Sequence, residues 1–503
     1  MQVFHDVLYG FTVSLAPGNL LSCFVGVLLG TLIGVIPGLG VVAAISLLIP
    51  ITFKMSAVAS IIMLAGIYYG AQYGGSITSI LVNIPGESTS VVTCLDGYQM
   101  ARQGRAGAAL GISAFGSFIA GTIGVAGIML FAPLLVKVAL KFDAPDYAGL
   151  FILGLTLVAY LVSGSKIKAL IMAVVGLILG TVGVDPVAGT QRFSFGSMSL
   201  LQGIELPPVA MGLFGISEVL LNLEKGFHQE IFQTRLKGLL PSREDWRVSL
   251  RPIGRGTVVG FFLGLLPGCG AIVSTFLSYA LEKKLSKTPE RFGNGAIEGV
   301  AAPEAANNAA SESALIPLLS LGIPTSATTA LLMGALMIHG LNPGPMLIKE
   351  HPDVFWGIVT SMYVGNVMLV ILNLPLIPLW VKVLKIPYYL LSPLIFLFCI
   401  IGTYSINSSY VDIVTMGIFG LLGYLLRKCA YEPAPLLLAF VLGGKLEVAV
   451  RQSLIYSRGS FDIFLQRPVA ATCLALSALM ILSSIVTGLL NRKSRLAPLG
   501  GGD

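Results

Sequence analysis

Long uninterrupted apolar runs, with little alternation of polar and apolar positions, set the character of this chain. Ala114 to Val136, Tyr147 to Val162, Ala169 to Val184, Phe355 to Val381, Tyr410 to Leu426 and Ala470 to Leu490 are such runs. They approach or exceed the roughly 18 residues that cross a hydrocarbon core. In lipid a helix satisfies its backbone groups within the segment. The pattern therefore predicts an all-α integral membrane protein, with about 10–12 transmembrane segments plus shorter broken or re-entrant helices.

Several apolar runs carry their own interruptions, and these recur. Gly30 to Gly40 reads GTLIGVIPGLG and Gly260 to Gly270 reads GFFLGLLPGCG, so both fit G-x-x-x-G-x-x-P-G-x-G. Tyr68 to Ser90 and Asn307 to Thr329 are each small, hydroxyl-rich stretches leading to Ile-Pro and further hydroxyls, and APLLVKV at Ala132 to Val138 is matched by IPLWVKV at Ile377 to Val383. Three pairs in the same order, at an offset drifting from about 230 to about 245 residues, predict an internal duplication. Residues 1–224 form the first transmembrane repeat, 225–255 a cytoplasmic basic linker and 256–503 the second repeat.

A Pro-Gly step within a membrane segment removes a backbone donor and loosens the helix, which lipid tolerates only where protein or a polar cavity surrounds the break. Pro37-Gly38 and Pro267-Gly268 are two such steps. The Ile84-Pro85-Gly86 and Ile323-Pro324-Thr325 breaks are richer in side-chain donors: Asn83, Ser88, Thr89, Ser90 and Thr93 surround the first, and Ser320, Thr325, Ser326, Thr328 and Thr329 the second. Half-helix N-termini at such breaks aim unpaired N–H groups at an anion, and the freed carbonyls suit a sodium ion. Their bland alternative is local capping and close helix packing. Ahead of the second break, Glu304, Asn307, Asn308 and Ser311 share one helix face and predict a polar stripe facing a cavity. Glu87 and Asp96 are in position to pair with Arg102 and Arg105 at the membrane edge.

Composition narrows the function. The chain is 55% hydrophobic and 11% charged with a net charge of +7, and its basic residues fall in a few loops, so they report topology and not nucleic-acid binding. By the positive-inside rule the stretch from Glu224 to Arg255, Arg102 with Arg105, Lys283 to Arg291 and Arg492 to Arg495 are expected inside. The first residues lack the basic region and cleavage site of a secretory signal, so the first apolar stretch is expected to be retained. The six cysteines and four histidines show neither a disulfide framework nor metal-ligand spacing. No G-x-x-x-x-G-K-[ST] phosphate loop is present, and no histidine lies near a G-x-S-x-G elbow, so an enzyme is not expected.

The runs YGGSITSILVNIPGESTSVVTCLDGYQMARQGRAGAALG (Tyr73 to Gly111), EGVAAPEAANNAA (Glu298 to Ala310) and GIPTSATTALLMGALMIHGLNPGP (Gly322 to Pro345) strongly resemble the large membrane subunit of the tripartite tricarboxylate transporter family. The resemblance implies a permease subunit of a bacterial inner membrane, working in the lipid bilayer with a small four-helix membrane subunit and a periplasmic solute-binding protein. It implies ion-coupled secondary uptake of a citrate-like carboxylate, with sodium or protons as the coupling ion and no other cofactor. It places the substrate and ion site at Asn83, Pro85, Gly86, Ser88, Thr89 and Ser90 together with Asn307, Asn308, Ser311, Pro324, Thr325, Ser326 and Thr328. Gly38, Gly40, Gly268, Gly270 and Glu304 are assigned to ion coordination or a hinge. An elevator-like block holding both breaks is expected to move against smoother helices such as Ala114 to Val136 and Phe355 to Val381. Loop charges favour parallel repeats, whereas similarity to related carboxylate transporters favours inverted ones. A channel that conducts without coupling is the alternative reading.

Overall fold

The computed structural model describes residues 2–36, 40–161, 165–225, 239–268, 270–383 and 388–496. They are almost wholly helical. Seven of the described helices are long and apolar enough to cross a membrane, and shorter apolar helices cover Val41–Thr52, Ala327–Ile338 and Pro468–Ser483.

In chain order, α1 (Gln2–Ser14), α2 (Pro17–Val35), α3 (Val41–Thr52) and α4 (Ala57–Val82) lead through a one-turn 3-10 helix at Ser88–Ser90 to α5 (Val91–Arg102) and α6 (Ala106–Ala139). Then come α7 (Ala144–Leu161), α8 (Lys166–Leu179), a two-residue hairpin of β1 (Gly183–Val184) and β2 (Gln191–Arg192), α9 (Met198–Leu201), α10 (Leu206–Ala210) and α11 (Ser217–Lys225). The second half runs α12 (Arg243–Gly264), α13 (Gly270–Leu285), α14 (Glu298–Ser313), α15 (Leu315–Leu321), α16 (Ala327–Ile338), α17 (Leu347–Glu350) and α18 (Pro352–Asn373). It ends with α19 (Ile377–Val383), α20 (Tyr388–Asn407), α21 (Tyr410–Lys428), α22 (Ala434–Tyr456), α23 (Ile463–Gln466) and α24 (Pro468–Leu496).

Some expected boundaries shift, for local reasons. The run from Phe355 to Val381 is two helices, because Pro375 and Pro378 remove donors where α18 gives way to α19. The run from Ala169 stops at Leu179, and Val184 belongs to the hairpin. From Arg243 the basic stretch is already helix: Ser242 and Asp245 close a capping box that starts α12, while residues 226–238 lie outside the described residues.

The chain folds into two compact units, Met1–Leu140 with Glu205–Cys429, and Lys141–Ile204 with Ala430–Asp503. The helices expected to form a scaffold, α6 and α18, belong to the same unit as both polar breaks.

In the first unit, backbone contact sets the helix spacing. A Cβ placed on Gly26, Gly30 or Gly34 of α2 would lie 2.3, 2.5 or 2.2 Å from the carbonyl oxygens of Met63, Ile67 and Ala71 on α4. On Gly256, Gly260 and Gly264 of α12 it would lie 2.3, 2.2 and 2.4 Å from those of Ala302, Ala306 and Ala310 on α14. Both pairs therefore run parallel and touch through glycines four residues apart, the close approach that small residues permit in membranes. Between the halves the direction reverses: Ser76 Oγ of α4 donates to Glu304 Oε2 of α14 at 2.5 Å, whereas Tyr68, two turns earlier on α4, meets Ser311, two turns later on α14. α4 and α14 are thus antiparallel.

In the second unit, Gly149 of α7 lies against Ala470 of α24, and Gly176 of α8 against Leu436 of α22. Asp185 in the hairpin loop accepts the N–H groups of Val187 and Ala188 at 2.8 and 2.9 Å and pairs with Arg451 at 2.8 Å. The Ala188 amide first, then that of Val187, then Arg451 and Arg192, hold its carboxyl below the usual carboxylate range. A carboxyl depressed in the folded state contributes stability above its unfolded value of about 4 and loses that contribution as pH falls through the folded value. Thermal melts in detergent between neutral and strongly acidic pH are expected to show an acid-side loss that Asp185→Asn reduces; identical profiles for the two proteins would refute this.

Candidate functional site

Each half of the first unit ends a helix in a left-handed residue, turns through Ile-Pro, and restarts a helix on a side-chain cap. α4 stops at Asn83 with φ 57°. Glu87 then caps the Ser88–Ser90 turn, its carboxylate taking the Ser90 N–H while the Glu87 N–H donates to Ser90 Oγ at 3.3 Å. α15 stops at Gly322 with φ 68°. Ser326 then caps α16: the Thr329 N–H donates to Ser326 Oγ at 3.3 Å and the Ser326 N–H to Thr329 Oγ1 at 2.8 Å. Asn83 with Gly322, Pro85 with Pro324, Glu87 with Ser326 and Ser90 with Thr329 all pair at one offset of about 240 residues.

The earlier breaks join the later ones. Val41 N–H, the first of α3, donates to Glu87 Oε1 at 2.8 Å, and Gly268 N–H donates to the Thr325 carbonyl at 3.0 Å. Glu87 thus lies at two helix N-termini, where a carboxylate is favoured, and not against Arg102 or Arg105. Gly86 admits this closure, since a Cβ there would sit 2.1 Å from the Gly34 carbonyl. Gly268 and Gly270 have φ of 81° and 48°, a region that disfavours any side chain. Gly40 has the ordinary extended geometry of an N-cap. Gly38 lies outside the described residues.

Other expected site residues divide into satisfied and unsatisfied groups. Thr89 Oγ1 donates to Gln72 Oε1 at 2.8 Å. Asn308 Nδ2 donates to Ser117 Oγ at 2.7 Å and to the Glu304 carbonyl at 3.0 Å, and Ser311 Oγ donates to the Asn307 carbonyl at 3.0 Å. Asn83 and Ser88 are exposed, whereas Thr328 is buried. Glu304 is 1% exposed, and its oxygens accept from Ser76, Thr93 and Ser113, so hydroxyls of three other helices cover this part of the stripe. By contrast Asn307 Nδ2 and Oδ1, Ser320 Oγ and Thr325 Oγ1 are buried without a partner. Such atoms normally cost about 1–3 kcal/mol each unless something fills the site.

Tyr68 stands beside the candidate residues but carries no sequence signal beyond its place in a small-residue run. It is buried, lies against Ser311 and the capping Ser326, and is within Coulombic reach of Glu87. One phenol from the first half therefore stands among the polar groups of both breaks. Asp96 is a second residue the sequence misplaced. It is fully buried, and it accepts the N–H groups of Gly293, Gly295 and Ala296 at 2.9, 2.8 and 2.8 Å together with the Tyr279 hydroxyl at 2.9 Å. Arg105, its expected partner, pairs instead with Asp245 at 2.5 Å.

Comparison with known proteins fits this picture. An Agrobacterium vitis protein described as the uncharacterized 52.8 kDa protein in the TAR-I ttuC' 3'region is 51% identical over 98% of this chain and 99% of its own length. A second Agrobacterium vitis protein, described as lying in the TAR-II ttuC' 3'region, is 49% identical over 47% of this chain and 98% of its own length. No solved structure matches. Residues 20–438 match the family described as Tripartite tricarboxylate transporter TctA family; with that match spanning most of a multi-pass helical membrane chain, the protein belongs to the tripartite tricarboxylate transporter TctA family.

Proposed function

We propose that this chain is the translocating subunit of an ion-coupled importer for a tricarboxylate or related carboxylate. In this reading a periplasmic binding protein delivers the solute, a small four-helix subunit completes the complex, and the assembly sits in a bacterial inner membrane. The observation that carries the proposal is the pair of equivalent capped breaks, with Tyr68 against Ser326, Glu87 within reach, and unpartnered polar groups at Asn307 and Thr325. A buried anion site of this kind needs donors more than cations, because helix N-termini and neutral amides can hold a carboxylate while the membrane disfavours a buried arginine.

The proposal includes two inverted copies. Helices α4 and α14 occupy equivalent places in the two halves, carry the same glycine contact to the preceding helix, and run antiparallel to each other. Equivalent antiparallel helices are related by an axis in the membrane plane, the arrangement in which both broken helices approach one midplane site from opposite sides. The two compact units supply a natural division for alternating access: the unit holding both breaks carries the solute, and Lys141–Ile204 with Ala430–Asp503 serves as scaffold.

The test is uptake of labelled citrate by proteoliposomes holding the chain with its partner subunits, under imposed proton or sodium gradients. Accumulation above the outside concentration supports the reading. Flux that only equilibrates, or that persists without an ion gradient, would favour a channel.

A further inference from the structure

Glu304 is one of two buried carboxylates on α14, and the second, Glu312, near the end of the helix, is placed quite differently. Its side chain is 1% exposed. Oε1 receives a long contact of 3.5 Å from Asn366 Nδ2 on α18, and Oε2 has no partner. Asn366 is equally buried, and its Oδ1 also lacks a partner. Two neighbouring side chains therefore each present an acceptor oxygen with no donor to meet it. Among the described residues, the groups within electrostatic reach of Glu312 are Tyr68, Tyr69 and Tyr73 of α4 and Tyr363 of α18, with Asn366 of α18 in contact. None is basic. From α6, Gly124 and Gly121 close the space: a Cβ at Gly124 would be 3.0 Å from Glu312 Cβ, and one at Gly121 would be 2.8 Å from Asn366 Nδ2.

An ionised carboxylate in the protein interior, with no cation beside it among the described residues and an empty lone pair, is costly. One proton resolves both deficits, because a neutral Glu312 becomes a donor and Asn366 Oδ1 is the acceptor that lacks one. Tight packing by two glycines suits a proton better than a hydrated ion. Resting on the transporter reading above, we propose that Glu312 binds the coupling proton and that Asn366 is its positioning partner. A proton taken from water on one side adds to Oε2, the acid travels neutral, and the same proton returns to water on the other side when the carboxyl ionises. Glu304, with three hydroxyl partners, is the fixed carboxylate of the pair.

Two measurements on the full complex in proteoliposomes test this. In the first, Glu312→Gln is expected to lose at least about tenfold of accumulation driven by a pH gradient, since a proton that cannot leave costs at least 1.4 kcal/mol of coupling. Whatever exchange of labelled for unlabelled citrate it retains should no longer depend on pH, whereas exchange by the wild type should. Undiminished accumulation by Glu312→Gln, or wild-type accumulation that follows sodium and ignores the pH gradient, would overturn the assignment. In the second, which needs no variant, a hydrophobic carbodiimide should modify Glu312 of the wild type less as pH rises, as expected of a carboxyl that must be protonated to react. Failure to modify Glu312 at any pH also overturns it. Absence of citrate exchange by the wild type would instead count against the transporter reading itself.

Discussion

Thr325→Val is expected to give a protein that melts no lower than the wild type and scarcely transports. Thr325 Oγ1 is buried and has no partner, so in the empty protein the hydroxyl is a burden of about 1–3 kcal/mol, and an isosteric methyl removes it. Were the hydroxyl structural, its loss would destabilise. If it meets a carboxylate or ion, its loss forfeits a hydrogen bond to a charged group, about 1.5–3 kcal/mol or roughly 10- to 100-fold in affinity. The two readings therefore differ in sign on stability and in size on transport. Asn307→Leu, which removes two further orphan atoms, should behave alike. Thermal melts in detergent beside citrate uptake decide it: near-normal uptake by a well-folded Thr325→Val protein would remove this residue from the site.

Gly260→Ala tests the packing with an opposite pair of signs. Helix propensity alone favours alanine by about 1 kcal/mol. Yet the new Cβ would stand 2.2 Å from the Ala306 carbonyl, and relieving that clash by separating α12 from α14 costs about 1–3 kcal/mol or more. A lower melting temperature is expected, with a larger drop for Gly260→Leu. Gly254 in the same helix has open space around it, so Gly254→Ala should raise stability slightly. Equal shifts for the two alanine variants would show that the glycine contact is not what holds the helices.

The breaks were legible because proline and glycine punctuate locally. Pro85 and Pro324 mark where α4 and α15 have ended, and the polar residues beside them, Glu87 with Ser90 and Ser326 with Thr329, are the caps of the next helices. The length of apolar runs was enough to identify membrane helices, though not to see that Pro375 and Pro378 divide one of them. Long-range pairing was illegible. Asp96 sits near Arg105 in sequence but is claimed by amides almost two hundred residues away. Nothing local distinguishes Glu304, clothed in hydroxyls, from Glu312, left bare two turns later, because the difference lies in what α4, α5, α6 and α18 bring against them. Loop charge favoured parallel halves, and it took the opposed progression of contacts along α4 and α14 to favour inversion.

The Asp96 cradle bears on how motion would spread through the molecule. Three backbone donors to one carboxylate are worth about 1.5–3 kcal/mol each, and they tie α5, which follows the first break, to the turn that launches α14. On the transporter reading proposed above, a displacement of that half-helix toward a solute would drag the start of α14 with it, and with α14 the carboxylate of Glu312. Occlusion at one tip and rearrangement in the opposite half would then be a single mechanical event, with Asp96 as the linkage.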